Sequence, residues 1–358
     1  MSNYLITANN IAELGGAQHV AHSLARGLVS RGHSVHLVGS TPVADAHTYA
    51  DAGYQTVTLM PEIWPAKNST NGAVRAGLRE QAVTDLRSLL QSLGSANIVA
   101  TQLWSLEVVL DAIAGYERRF PVVGQYHGSF AAAASGRDLR RAQKLAGRCE
   151  YFTVLSKEDA AAFAQAGLTN VVALGNPNTV SLAQFAEATA QVRTASVDFV
   201  GRLSAEKGPD LLLAAWEQVQ PAGLTLRLTG TGPLRAELAA RGMPHVEFAD
   251  PVEHAAGVIG RSRLVVLPSR TEGAPLVLAE ALTLGTPVVV IDVSSGVREM
   301  VVDNPLAVLV ERDNVTALAD GIVAGLAIAP HPNPSFPDDS NIFDAFEELF
   351  AISIPRLK

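Results

Sequence analysis

The chain has 358 residues, enough for two domains at roughly 150 residues each. Its 48% apolar, 17% charged and 6% aromatic content is an ordinary globular composition that excludes a disordered or collagen-like chain. A net charge of −8 removes any global drive toward nucleic acid, and a lone cysteine, Cys149, excludes an intrachain disulfide and a Cys-rich zinc site.

No segment approaches the roughly 18 continuous apolar residues of a membrane-spanning helix. Met1 to Ile6 lacks the basic region and long apolar run of a secretory signal, so the expected compartment is the cytoplasm. Tyr4–Ala8 reads as a buried strand, followed by Gly15-Gly16 and a helical stretch to about Arg31. In that stretch Val20, Leu24 and Leu28 share one face. Ser34–Val38 is the next strand, completing a βαβ unit. Further strands are expected at Thr56–Leu59, Asn97–Ala100, Pro121–Tyr126, Phe152–Leu155 and Val171–Leu174. Ser156 is an expected N-cap with acids behind it. Pro177–Arg193, polar and rich in Ala and Gln, reads as a pause near a domain boundary at about residue 180.

The pattern restarts at Val197–Val200. Strands are expected at Leu224–Thr229, Val246–Phe248, Leu264–Leu267, Pro287–Ile291 and Leu306–Val310, with helices between them. Pro330–Pro337 is read as irregular and Ile342–Ile352 as a final helix. Alternating helices and apolar, β-branched strands predict two α/β, doubly wound parallel sheets, residues 1–180 and 181–341. Two such domains facing across a cleft would bind ligands beyond the carboxyl ends of their strands.

The chemistry-bearing residues stand at those strand ends. Gly15-Gly16 opens a helix, where backbone amides and the dipole favour an anion, although alone a tight turn before a helix is the commoner explanation. Gly201-Arg202-Leu203-Ser204-Ala205-Glu206-Lys207-Gly208 puts two cations on a strand-to-helix loop, a diphosphate clamp or a solvated basic loop. Gly230-Thr231-Gly232-Pro233 is not a dinucleotide fingerprint: Arg235 stands where the third glycine should, and no matching acid follows. Glu272 lies in the loop after Leu264–Leu267. Glu280 interrupts the apolar run Leu276–Leu284, a costly position unless hydroxyls or another group pair with it. His127-Gly128 ends the strand Pro121–Tyr126, where a histidine is either structural or a substrate contact. His19/His22 and His33/His36 have i, i+3 spacing but no third ligand. There is no Asp-x-Asp, H-E-x-x-H, G-x-S-x-G or P-loop. Residues 137–148 carry five cations and one acid, with Leu139, Ala142, Leu145 and Ala146 forming an apolar stripe if helical.

Taken together, these motifs resemble glycosyltransferase family 4, retaining enzymes of the GT-B fold. The resemblance covers nearly the whole chain: the Gly15-Gly16 loop, His127-Gly128, Asn176-Pro177, Gly201-Arg202 through Lys207-Gly208, Gly230–Pro233 and the E-x7-E pair Glu272 and Glu280. It implies a nucleoside-diphosphate sugar donor, UDP- or GDP-linked. Arg202 and Lys207 would hold the diphosphate, Glu280 the ribose, and Glu272 with the Gly273 and Ala274 amides the sugar. Gly230 would shape the nucleotide site, Gly16 would donate an N–H from the first domain, and His127 would stand beside the transferred sugar. It also implies no metal, no cofactor beyond the donor, and a last helix, about 342–358, that crosses back to pack on the first domain. Two departures are Ala274, where a bulky residue is common, and Asn178, where many members are hydrophobic. The acceptor is expected to be a glycan, lipid or polyol phosphate of cell-envelope or other glycoconjugate synthesis. Residues 137–148 are expected to touch the inner membrane face or an anionic acceptor. Rival readings are a sugar-nucleotide epimerase and a non-catalytic glycosyltransferase-like subunit.

Overall fold

Short β-branched runs such as Val288-Val289-Val290-Ile291 cannot satisfy their own backbone, so they pair laterally, and amphipathic helices cover the apolar faces that result. The computed structural model describes residues 1–358 except 45, 48, 50–52, 64–71, 220, 332–339 and 354–358. The chain forms two units, Met1–Pro177 with Asp339–Lys358, and Asn178–Asp338. The boundary thus falls between Pro177 and Asn178, slightly before the expected 180.

The strands of the first unit are β1 (Asn3–Ala8), β2 (Ser34–Gly39), β3 (Gln55–Thr58), β4 (Asn97–Ala100), β5 (Val122–Gln125), β6 (Tyr151–Val154) and β7 (Val171–Ala173). Its helices are α1 (Gly16–Ser30), α2 (Gly72–Leu93), α3 (Leu103–Ala112), α4 (Phe130–Ser135), α5 (Asp138–Ala146) and α6 (Lys157–Gln165). The seven strands are parallel, in the order β3-β2-β1-β4-β5-β6-β7.

The second unit carries α7 (Leu182–Ala190), β8 (Ser196–Val200), α8 (Pro209–Val219), β9 (Thr225–Thr229), α9 (Arg235–Ala239), β10 (Val246–Ala249), α10 (Ala256–Ile259) and β11 (Leu264–Leu267). It continues with α11 (Leu276–Thr283), β12 (Val288–Ile291), α12 (Ser295–Val301), β13 (Ala307–Val310) and α13 (Val315–Ala327). Its parallel order is β10-β9-β8-β11-β12-β13. In both sheets the chain winds outward on one side of the first strand and then returns to its other side. That reversal leaves a crevice at the carboxyl ends, between the loops after β1 and β4 and between those after β8 and β11.

Two sequence readings change, and a third falls largely outside the described residues. The expected pause at Pro177–Arg193 contains α7, closed by a reciprocal capping box between Ser181 and Gln184. Only Ala188 of that helix is buried, so no apolar period announced it. The apolar stripe of α5 is taken up by the core: Ala142, Leu145 and Ala146 are buried with α3 and β5 residues. The irregular reading of Pro330–Pro337 lies outside the described residues from 332 onward.

The last helix, α14 (Ser340–Ser353), packs on the first unit. Phe346, Leu349 and Phe350 join Tyr4, Leu24 and Leu28 in one cluster. The contact with α1 is close enough that a Cβ on Gly27 would sit 2.0 Å from Phe343 Cζ. Arg31 pairs with Asp344, and with Glu347 at 2.6 Å. No helix among the described residues is long and apolar enough to cross a membrane.

Candidate functional site

In the second unit the loops after β8 and β11 flank the crevice, and the structure brings Lys207 and Glu272 together across it. Lys207 Nζ donates to Glu272 Oε1 at 2.7 Å, and Ser269 Oγ donates to the same oxygen at 2.7 Å. Arg202 lies exposed on the β8 loop. A second brace joins the two loops: the Arg270 guanidinium holds both carboxylate oxygens of Asp210 at 2.9 and 2.6 Å, and Arg270 N–H donates to Glu206 O. Arg270 keeps the Asp210 carboxyl below its ordinary range. Gly208 makes the approach possible. It adopts φ +65°, and a Cβ there would lie 2.1 Å from Pro268 O.

Gly230, with φ +146°, lies against the same loop, where a Cβ would stand 2.0 Å from Gly201 O. Backbone bonds Gly201 N–H to Thr229 O and Leu203 N–H to Thr231 O lock the β8 and β9 loops together. Its role in this structure is therefore to seat the loop that carries Arg202. Gly273 and Ala274 follow Glu272 directly. The Gly273 carbonyl accepts from Ser294 Oγ at 2.8 Å, and the start of α12 lies against it at Gly296.

Glu280 is placed apart from Glu272, on α11, and is only 9% exposed. Thr179 Oγ1 donates to its Oε1 at 2.5 Å. Burial pushes the Glu280 carboxyl up to about 7, and the Thr179 hydroxyl offsets part of that rise. A carboxyl so poised accepts hydrogen bonds from ligand hydroxyls without carrying a strongly solvated charge.

In the first unit Gly16 starts α1 just beyond β1, with Gly15 as N-cap and no acid in the first turn. The backbone N–H of Asn9 donates to Gln102 Oε1 at 2.8 Å, joining the loops after β1 and β4. His127 follows β5. Its loop is fixed by Ser129, which caps α4, and by the buried Asp159, which accepts from Phe130 N–H at 2.9 Å. Burial pulls the His127 imidazole down to about 4, only partly countered by its hydrogen bond with Asn176. His127 is thus neutral near pH 7, and its Nε2 is buried without a hydrogen-bond partner among the described residues.

His22 and His33 serve structure. His22 bonds Ile11 O at 2.8 Å and Tyr54 Oη at 2.5 Å, and stacks on Tyr49, while His33 meets Glu347 at 3.1 Å. Cys149 packs at the edge of the core, and burial pushes its thiol up to about 12, which leaves it unreactive. Among the described residues no group of three or more His, Cys, Asp or Glu side chains is gathered to hold a metal. On and beside α5, Arg141 pairs with Glu107 and Arg148 with Asp111, while Arg137, Arg140 and Lys144 are exposed.

The sequence reading missed Ser269, Arg270, Thr179, Ser294 and Gly296. Ser269 bonds Glu272 three residues on, while the other four act by touching residues distant in sequence that no local pattern marks.

Two family models cover most of the chain: one described as "Glycosyltransferase Family 4" matches residues 14–177, and one described as "Glycosyl transferases group 1" matches 194–327. A curated relative, the amylovoran biosynthesis glycosyltransferase AmsD of Erwinia amylovora, is 29% identical over 168 residues, 44% of this chain and 48% of its own. The matched stretch spans under half the length of the first curated relatives. Among solved structures, sucrose-phosphate synthase from Thermosynechococcus elongatus has a TM-score of 0.76 at 19% identity, covering 99% of this chain and 97% of that one. Anabaena HepE, in complex with UDP and glucose, has a TM-score of 0.68 at 19% identity and covers 99% and 95%. These likenesses identify the fold as GT-B.

Proposed function

The chain belongs to glycosyltransferase family 4, and from that membership we propose that it transfers a sugar, with retention, from a nucleoside-diphosphate sugar to an acceptor hydroxyl. The observation that carries this reading is the Lys207–Glu272 pair at 2.7 Å, set at the crevice of the second sheet with Glu280 buried nearby in sequence on the following helix. Before donor binding, Lys207 and Glu272 satisfy each other. A diphosphate brings at least two negative charges to one carboxylate's single charge and takes Lys207, with Arg202 beside it on the loop. Glu272 is then released to accept from sugar hydroxyls, and Ser269 keeps it oriented. Glu280 receives the ribose hydroxyls. The Gly273 and Ala274 amides approach the sugar or phosphate.

The two cations stabilise the departing diphosphate and do so without a metal or any cofactor beyond the donor. A donor phosphate oxygen takes the acceptor proton on the face it leaves, so no protein nucleophile is assigned. In the first unit, His127, neutral and with a buried Nε2 that has no partner among the described residues, can meet a substrate hydroxyl, and the amides that open α1 at Gly16 favour an anion. UDP is the favoured nucleotide because the related Anabaena HepE structure contains it. An anionic acceptor of envelope or glycoconjugate synthesis, or the membrane surface that carries it, fits the exposed Arg137, Arg140 and Lys144.

The test is product analysis with labelled UDP- and GDP-sugars, with and without acceptor extract and with chelator present. Transfer that requires acceptor and survives the chelator is the expected result. Epimerised donor without acceptor, or no turnover of any donor, would refute the reading.

A further inference from the structure

We propose that Thr179 is a positioning residue for nucleoside recognition: its hydroxyl holds the Glu280 carboxylate in the orientation that receives ribose hydroxyls. This rests on the reading of Glu280 given under the proposed function.

Thr179 Oγ1 donates to Glu280 Oε1 at 2.5 Å, and this is the one side-chain hydrogen bond that Glu280 makes among the described residues. Glu280 is otherwise set among apolar neighbours on α11, flanked by the fully buried Leu278 and Ala281. A carboxylate there has no charged partner to orient it, and its rotamer is set by what it can bond. A threonine suits the task. It contributes one donor and no charge, and its β-branched side chain is stiff about χ1. One proton engages one carboxylate oxygen and leaves the other for the ligand.

Residues on both sides of Thr179 hold it in place. The Asn178 side chain accepts from Val180 N–H at 3.1 Å. Val180 is 3% exposed and packs in the same cluster as Leu278 and Ala281, which fastens this segment to α11 itself. Ser181 then caps α7. The backbone therefore presents the hydroxyl to Glu280 before any ligand arrives. Sequence alone gave no reason to pair positions 101 residues apart.

The experiment measures binding by calorimetry of UDP or GDP, whichever the wild type prefers, and of its 2′,3′-dideoxy counterpart. Four proteins are compared: wild type, Thr179→Val, Thr179→Ser and Glu280→Gln. Thr179→Val keeps the shape and removes the donor. It is expected to weaken the ribonucleotide about tenfold, the scale of one lost hydrogen bond to a charged group, and to leave the dideoxynucleotide unchanged. Thr179→Ser restores the preference for ribose. If Thr179→Val weakens both ligands equally, the residue is merely structural and the proposal falls. It falls alone if Thr179→Val keeps the wild-type ribose preference while Glu280→Gln loses it. If Glu280→Gln also keeps that preference, the ribose reading of Glu280 fails, and this inference fails with it.

Discussion

Replacing Gly296 by alanine tests whether α12 shapes the donor loop. A Cβ at Gly296 would lie 2.2 Å from Gly273 O and 3.0 Å from Gly273 C. Non-bonded heavy atoms rest at about 3.5 Å, so the carbonyl must retreat by roughly 1 Å. Both partners are backbone, and neither can rotate away as a side chain could. The retreat also strains the bond from Ser294 Oγ to Gly273 O, now 2.8 Å. Overpacking of this kind costs about 1–3 kcal/mol, and alanine returns about 1 kcal/mol through helix propensity. The net loss of stability is therefore modest, about 0–2 kcal/mol, and the protein stays folded. The functional effect is larger, because a 1 Å misplacement at a reacting site costs on the order of 100-fold in rate. Steady-state kcat/KM for the donor should fall by about 10- to 100-fold while calorimetric Tm falls by only a few degrees. Gly257→Ala is the control, since a Cβ there meets nothing within 4 Å. Wild-type kcat/KM in a folded Gly296→Ala protein would refute the assignment of Gly273 and Ala274 to the donor site.

Lys207→Ala should weaken nucleoside diphosphate binding by about 1.5–3 kcal/mol, with or without chelator, as read by calorimetry; unchanged affinity removes Lys207 from the site. Glu280 carries a testable pH signature, because its folded carboxyl sits near 7 against an ordinary 4.5. The folded state holds that proton more tightly than the unfolded one, so the stability it contributes is full below pH 4.5 and declines as pH rises to about 7. Glu280→Gln should abolish that decline in a Tm profile from pH 4 to 8, and parallel profiles would contradict the burial argument. Glu272→Gln should lower turnover more than nucleotide affinity, measured as kcat against the Kd for UDP; equal losses in both would merge its role with that of Glu280. Vesicle co-sedimentation at low salt should show anionic-lipid binding that Arg140→Glu/Lys144→Glu abolishes, each cation contributing about 1 kcal/mol; equal pelleting with neutral vesicles would rule out an electrostatic surface.

Much of the fold is legible in the residues themselves. Val288–Ile291 or Leu264–Leu267 can be recognised as buried strands because four consecutive apolar, β-branched or Leu residues exclude every exposed conformation. Lys207 and Glu272 were visible because they stand on loops beyond strand ends, where a doubly wound sheet opens to ligands, and Glu280 because it interrupts the apolar run Leu276–Leu284. The helix at Leu182–Ala190 was hidden, since its stability comes from a capping box and one buried alanine rather than from an apolar period. The apolar stripe of α5 was visible, but only the packed structure shows that the core consumes it and leaves the cations outside. Lys207 bonding Glu272, Thr179 bonding Glu280, and Gly296 pressing on Gly273 belong to the tertiary structure alone. The periodicity of a sequence reports which face of an element is dry. Which polar group meets which depends on how the loops after β8 and β11 converge, and that is set by long-range pairing of strands that no local pattern encodes.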